Sequence, residues 1–216
     1  MDVVPNRIHL VRHGEVHNPD GLLYGRLPGF HLSRSGVRMA QLAADELVAQ
    51  GYEVKTVMTS PLERAQESAE PIAAAFGRPA SVDVALIEAS SRLEGGRFQM
   101  NLGILAKPAA WRFLVNPLRP SWGEPFAAVA ARMMSLIQSV AGDDSPGDVV
   151  MVSHQLPIWM AHRAVLGTRL FHDPRKRRCS LSSITSFEVR DGAIREVGYS
   201  EPAAALIARS KDVGAV

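Results

Sequence analysis

Ile8-His9-Leu10-Val11-Arg12-His13-Gly14-Glu15 is the stretch on which the reading of this chain turns. Ile8 to Val11 form a short, mostly apolar run of the kind that makes a buried strand, and it ends directly on Arg12 and His13. The same layout returns twice. Thr56-Val57-Met58 reads as a strand and leads into Ser60-Pro61-Leu62-Glu63-Arg64. Val149-Val150-Met151-Val152 is the most strand-like run in the chain and leads into Ser153-His154. Three strands that each finish on polar or cationic groups suggest one edge where chemistry collects.

Between these strands lie helical patterns. Val37, Ala40, Ala44, Leu47 and Val48 recur at helical spacing, with Ser33 as N-cap and Gly51 as stop. Ser60, Pro61 and Glu63 carry a capping-box signature, which predicts a helix opening at Ser60 with Leu62, Ala65, Ala69, Ile72 and Phe76 on its apolar face. Pro71 inside that pattern predicts a kink or an early end. Val82 to Ile87 reads as another strand, Phe126 to Val140 as a helix, and His154 to Leu166 as a helix stopped by Gly167. Ser183 to Val189 and Ile194 to Tyr199 flank the turn pair Asp191-Gly192 and read as a hairpin. From Ala203 the tail reads as a final helix or a frayed end. Alternating strands and helices imply an α/β fold: three layers, α/β/α, around a mostly parallel sheet. Residues 1–216 read as one domain, with an irregular, proline- and aromatic-containing lid insertion at about 95–123.

Composition narrows the function classes. Hydrophobic residues make up 46% and charged residues 21%, which suits a globular domain of 216 residues. A net charge of +2 is too small to point to nucleic acid. The single cysteine, Cys179, excludes an internal disulfide framework and fits a reducing compartment. No apolar run is long enough to span a membrane, and the start has no signal-peptide pattern, so a cytoplasmic protein is expected. A homodimer through the sheet edge is left open.

In a parallel sheet the C-terminal strand ends share one edge, where open α/β sheets bind ligands. Arg12, His13, Arg64 and His154 would therefore converge there. Two arginine forks and a helix N-terminus suit the oxygens of a phosphate. Taken singly, each has a plainer reading. His13 and Arg12 could be a surface pair, Arg64 a solvated helix residue and His154 a packed helix-start histidine.

Arg12-His13-Gly14-Glu15, with Ser60-Pro61-Leu62-Glu63-Arg64 and Val152-Ser153-His154, resembles the histidine phosphatase superfamily, also called the phosphoglycerate mutase-like family. The resemblance runs from about residue 7 to 200. It implies that His13 is a nucleophile that becomes phosphorylated, that Arg12, Arg64 and His154 hold the phosphate, and that a carboxylate after the third strand is the acid/base. Glu88 occupies that place, with Glu94 and Glu15 as competing carboxylates. Asn18 resembles a phosphate-contacting asparagine of the family, one residue closer to the histidine than usual. Gln155 stands where many members have glycine.

The implied activity is hydrolysis of a small phosphorylated substrate through a phosphohistidine, with no metal or other cofactor required. One alternative is a cofactor-dependent phosphoglycerate mutase. Such mutases carry Glu-Arg-His-Tyr after the acid, where this chain has Glu88-Ala89-Ser90-Ser91. The other is a catalytically idle phosphate-binding module. His17 reads as a rim residue. Tyr24 and Arg26 line the mouth or serve structure. Arg175-Lys176-Arg177-Arg178 reads as a solvated basic loop, with steering of anions as its functional alternative.

Overall fold

The computed structural model describes residues 6–96, 123–143, 145–190 and 192–208. The expected lid therefore lies, apart from its ends, outside the described residues, as does Asp191. Six strands form one sheet: β1 (Arg7–Arg12), β2 (Val54–Thr59), β3 (Ala80–Val82), β4 (Asp148–Ser153), β5 (Ile184–Arg190) and β6 (Ala193–Ser200). Their order is β3-β2-β4-β1-β5-β6. The first four are parallel, and β5 and β6 add an antiparallel hairpin at one side. The described helices are α1 (Arg34–Ala49), α2 (Glu63–Phe76), α3 (Phe126–Ala141), α4 (Gln155–Val165) and the one-turn α5 (Ala204–Ile207).

Side-chain alternation along the strands builds the three layers. Val11, Val57, Val150 and Val152 face α1 and α2, packing with Ala43, Ala44, Leu47, Ala65, Ala69 and Ile72. Ile8, Leu10, Val149 and Met151 face the other way, against Met133 and Ile137 of α3 and Ile158 and Ala161 of α4. A strand covered on both faces must be apolar throughout, which is why β4 is buried at all six positions. Among the described residues no helix is long and apolar enough to cross a membrane.

Several expectations change. α1 is capped as expected, since Ser33 Oγ accepts from Gly36 N at 2.9 Å. Its buried face, however, runs through Met39, Ala40, Ala43, Ala44 and Leu47, leaving Val37 and Val48 exposed. α2 begins at Glu63 with Leu62 at its cap, not at Ser60. It also continues through Pro71 to Gly77, which closes it at φ +61°. Burial of Ala65, Ala69 and Ile72 against the sheet outweighs the roughly 3 kcal/mol cost of an internal proline. The expected strand at Val82 to Ile87 is displaced: β3 ends at Val82, and Val84–Leu86 is a 3-10 turn capped by Asp83 Oδ1, which accepts from Ala85 N at 2.7 Å. Leu86 goes into the core, so its apolarity reflects a buried turn.

Candidate active site

Strand register assembles the site. Arg12 of β1 pairs with Ser153 of β4, so His13 and His154, the next residues, leave the sheet side by side. Their ring centroids are 5.1 Å apart. On the other side of β4, Thr59 pairs with Val152, which brings Ser60 to His154. Ser60 Oγ and His154 Nε2 lie 2.7 Å apart.

His13 is buried and held from several directions. Its Nδ1–H donates to the Gly14 carbonyl at 2.7 Å, so the ring's lone pair lies on Nε2. Its backbone N–H donates to Ser153 O at 3.1 Å, and its carbonyl accepts from Ser182 N at 3.3 Å. Ser182 has φ +54°, a left-handed conformation that a serine adopts at a cost. Gly14 N donates to Ser68 Oγ of α2 at 3.1 Å, fastening the turn to the helix that carries Arg64. Glycine is required at this turn, because a Cβ on Gly14 would stand 2.4 Å from the Gly36 carbonyl oxygen.

Both arginines are buried, Arg12 at 1% exposure and Arg64 at 0%. Arg12 Nη1 donates to Cys179 O at 2.7 Å, and Arg64 Nη2 donates to Gly25 O at 2.6 Å. The Arg64 guanidinium lies 4.7 Å over the Tyr24 ring. Arg64 Nε and Nη1 and His154 Nδ1 are buried without a hydrogen-bond partner among the described residues. Ser60 Oγ accepts from Leu62 N at 3.4 Å; when it gives its own proton to His154 Nε2, the imidazole proton lies on Nδ1. The unsatisfied Arg64 and His154 nitrogens beside the His13 ring fit an anion with several acceptor oxygens.

Burial sets the charge states. It pulls His154 well below the usual histidine range, helped by Arg64, His13, Arg12 and Arg132, so this imidazole is neutral. It pushes the Glu88 carboxyl upward, while Ala89 N–H and then Arg64, Arg177 and Arg12 draw it back. Glu88 is thus buried near the same cations as the histidines. Burial likewise lowers Arg64, against the attraction of Tyr24, Glu88 and Glu63, although guanidinium remains charged.

The remaining expectations divide. Glu94 Oε1 accepts from Ser91 N at 3.0 Å and Arg26 N at 3.1 Å, so this carboxylate ties two loops together. Glu15 Oε2 accepts from Ser33 Oγ at 2.5 Å, at the start of α1. Asn18, expected to touch phosphate, closes its own loop through Leu22: Nδ2 donates to Leu22 O at 2.8 Å and Oδ1 accepts from Leu22 N at 3.0 Å, which leaves the second Nδ2 hydrogen outside these bonds. His17 is exposed.

The basic run is not uniform. Arg175 pairs with Asp173 and Arg178 with Glu196, whereas Arg177 turns inward, donating to His172 Nε2 at 2.8 Å and Gln155 Oε1 at 3.2 Å. Sequence reading missed Ser60 as a partner of His154, and also the backbone carbonyls of Gly25 and Cys179 that hold the two arginines. A carbonyl is the same in every residue, so no side-chain pattern could reveal those. Among the described residues no group of three or more His, Cys, Asp or Glu is placed to hold a metal ion.

The model of the histidine phosphatase superfamily, branch 1, matches residues 8–202. The chain belongs to this superfamily. An uncharacterized protein of Mycobacterium tuberculosis, Rv0525, is 46% identical over 198 residues, covering 92% of this chain and 97% of that protein. Among solved structures, YhfR of Bacillus stearothermophilus aligns with a TM-score of 0.74 at 25% identity, covering 89% of this chain and 95% of that one. The mycobacterial glucosyl-3-phosphoglycerate phosphatase Rv2419c aligns with a TM-score of 0.70 at 24% identity, covering 89% and 96%. The mixed six-stranded sheet flanked by helices is thus the phosphoglycerate mutase-like fold of histidine phosphatases.

Proposed function

We propose that this histidine phosphatase superfamily member hydrolyses a small phosphomonoester through a phosphohistidine on His13. The observation that carries the reading is the His13 ring, locked by Gly14 O with its lone pair on Nε2, beside the unsatisfied nitrogens of Arg64 and His154. Nε2 attacks phosphorus as the bond to the leaving oxygen breaks, and the Glu88 carboxyl gives that oxygen its proton. Arg12, Arg64 and His154 hold the phosphoryl oxygens and balance their charge. In the second step the Glu88 carboxylate takes a proton from water. The water oxygen attacks phosphorus, the N–P bond breaks, and phosphate leaves with His13 neutral again. The two arginines supply the charge compensation, so the route calls for no metal or cofactor.

Ala89-Ser90-Ser91 after Glu88 favours hydrolysis over mutase transfer, because the residues that mark the mutases are absent there. An idle phosphate-binding module has no need of a ring held in one tautomer.

The test is hydrolysis of p-nitrophenyl phosphate between pH 4 and 9 with a chelator present, beside the His13→Ala variant and a mutase assay on 3-phosphoglycerate. The expected result is chelator-resistant release that disappears in the variant, with a trapped phosphoenzyme stable in alkali and labile in acid, as an N–P bond is. Release that persists in His13→Ala overturns the reading. Mutase activity without hydrolysis replaces it.

A further inference from the structure

The loop bearing Glu88 is braced by three ionic side chains outside the reacting cluster. Glu124 Oε2 accepts from Arg26 Nη2 at 2.8 Å, and its Oε1 accepts from Arg132 Nε at 3.1 Å. Each arginine also reaches a carbonyl of the acid loop. Arg26 Nε donates to Glu88 O at 2.6 Å, and Arg132 Nη1 donates to Ala85 O. The backbone of the same segment closes the far end, where Glu124 N donates to Ser90 O at 3.0 Å and Gly123 bridges to Ser91. A Cβ at Gly123 would lie 2.6 Å from Ser90 O, so the approach is close. The loop is thus held at Ala85 and Glu88 through two arginines that share one carboxylate, and at Ser90 by the backbone of Glu124.

This matters because of how Glu88 itself is held. Its Oε1 accepts from Ala89 N at 2.9 Å, a bond to the adjacent backbone. The aim of the carboxyl therefore follows the backbone at 88–89, and that backbone is what Arg26 grips. All three brace side chains are largely shielded from water, at 33% exposure for Arg26, 19% for Arg132 and 17% for Glu124. Partial burial makes such pairs geometrically strict, since a misplaced partner leaves a charge poorly solvated.

We propose that Arg26, Glu124 and Arg132 are positioning residues that aim the Glu88 carboxyl at the leaving oxygen; this rests on the phosphohistidine reading above. Their role lies in proton delivery, so it shows in the dependence on the leaving group.

The experiment compares kcat/KM for phenyl phosphate and 2,4-dinitrophenyl phosphate in the parent protein, Glu124→Gln and Arg26→Met. Phenolate is a poor leaving group that needs the proton, whereas dinitrophenolate leaves without it. Each variant is expected to lose about tenfold or more on phenyl phosphate while staying within about twofold on the dinitrophenyl ester. Arg26→Met leaves the Glu124–Arg132 pair in place, so it answers the question if Glu124→Gln fails to fold. Equal losses on both esters in a folded variant, or no loss on either, overturn the brace. His13-dependent turnover in the parent tests the underlying reading separately, and its absence overturns both.

Discussion

At the scale of single residues, Glu88 shows burial and charge contesting one proton. At 5% exposure the carboxyl is held above its ordinary value by burial, and Ala89 N–H with Arg64, Arg177 and Arg12 recovers part of the shift. An acid that keeps its proton toward neutral pH suits donation to a leaving oxygen. kcat/KM on a poor leaving group is therefore expected to fall as pH rises through the raised value. Glu88→Gln should remove that limb and cost about 10²- to 10⁴-fold. The same shift has a sign for stability. With the folded value above the unfolded one, the contribution is fully present below the unfolded pKa and is lost as pH rises through the folded pKa. Calorimetry should find Glu88→Gln more stable than the parent at pH 8, with the difference closing toward pH 4; a variant no more stable at pH 8 contradicts the burial argument. The identity of His13, Arg12, Arg64 and His154 as a group was legible, because each follows or opens an element at a strand end. Sequence favours Glu88 over Glu94 by position alone. Both are carboxylates a few residues apart, and their surroundings differ: Glu88 is buried near a cation cluster, whereas Glu94 accepts from two backbone amides.

At the scale of elements, close packing of two loops fixes where His13 stands. Gly36 lies in the first turn of α1, and a Cβ there would come within 2.0 Å of the Glu15 carbonyl oxygen. Gly14 meets the Gly36 carbonyl in return, so the Gly14-Glu15 turn and the start of α1 approach backbone to backbone. Gly36→Ala has no flexible side chain to push aside and must shift that backbone. We expect a loss of roughly 1–3 kcal/mol in chemical denaturation, the usual cost of overpacking, with turnover lowered as His13 moves. An unchanged midpoint would show that the contact yields freely. Ser60 teaches the limit of local reading. Its capping signature is sound as a pattern, but the hydroxyl is taken by His154, and the helix starts later without a side-chain cap. A partner 94 residues away competes with the local one, and no window of sequence contains both.

At the scale of the whole molecule, stability is expected to be graded across the sheet. β4 and β1 lie at its centre, buried almost throughout, whereas β3 at one edge is exposed at all three residues. Hydrogen exchange should find the amides of β4 and β1 protected to the level of global unfolding, and those of β3 exchanging through local opening. Uniform protection would count against this gradient. Taken by itself, the sequence determined the alternation of strand and helix, the doubly covered apolar runs and the three polar strand ends, since periodicity and burial act locally along the chain. Tertiary structure alone decided the strand order, with β4 inserted between β2 and β1. It decided the level pairing of Arg12 with Ser153 that sets two histidines side by side, and the carbonyls that hold both arginines. These depend on contacts between segments far apart in sequence and on backbone groups common to all residues, so only the folded chain could select them.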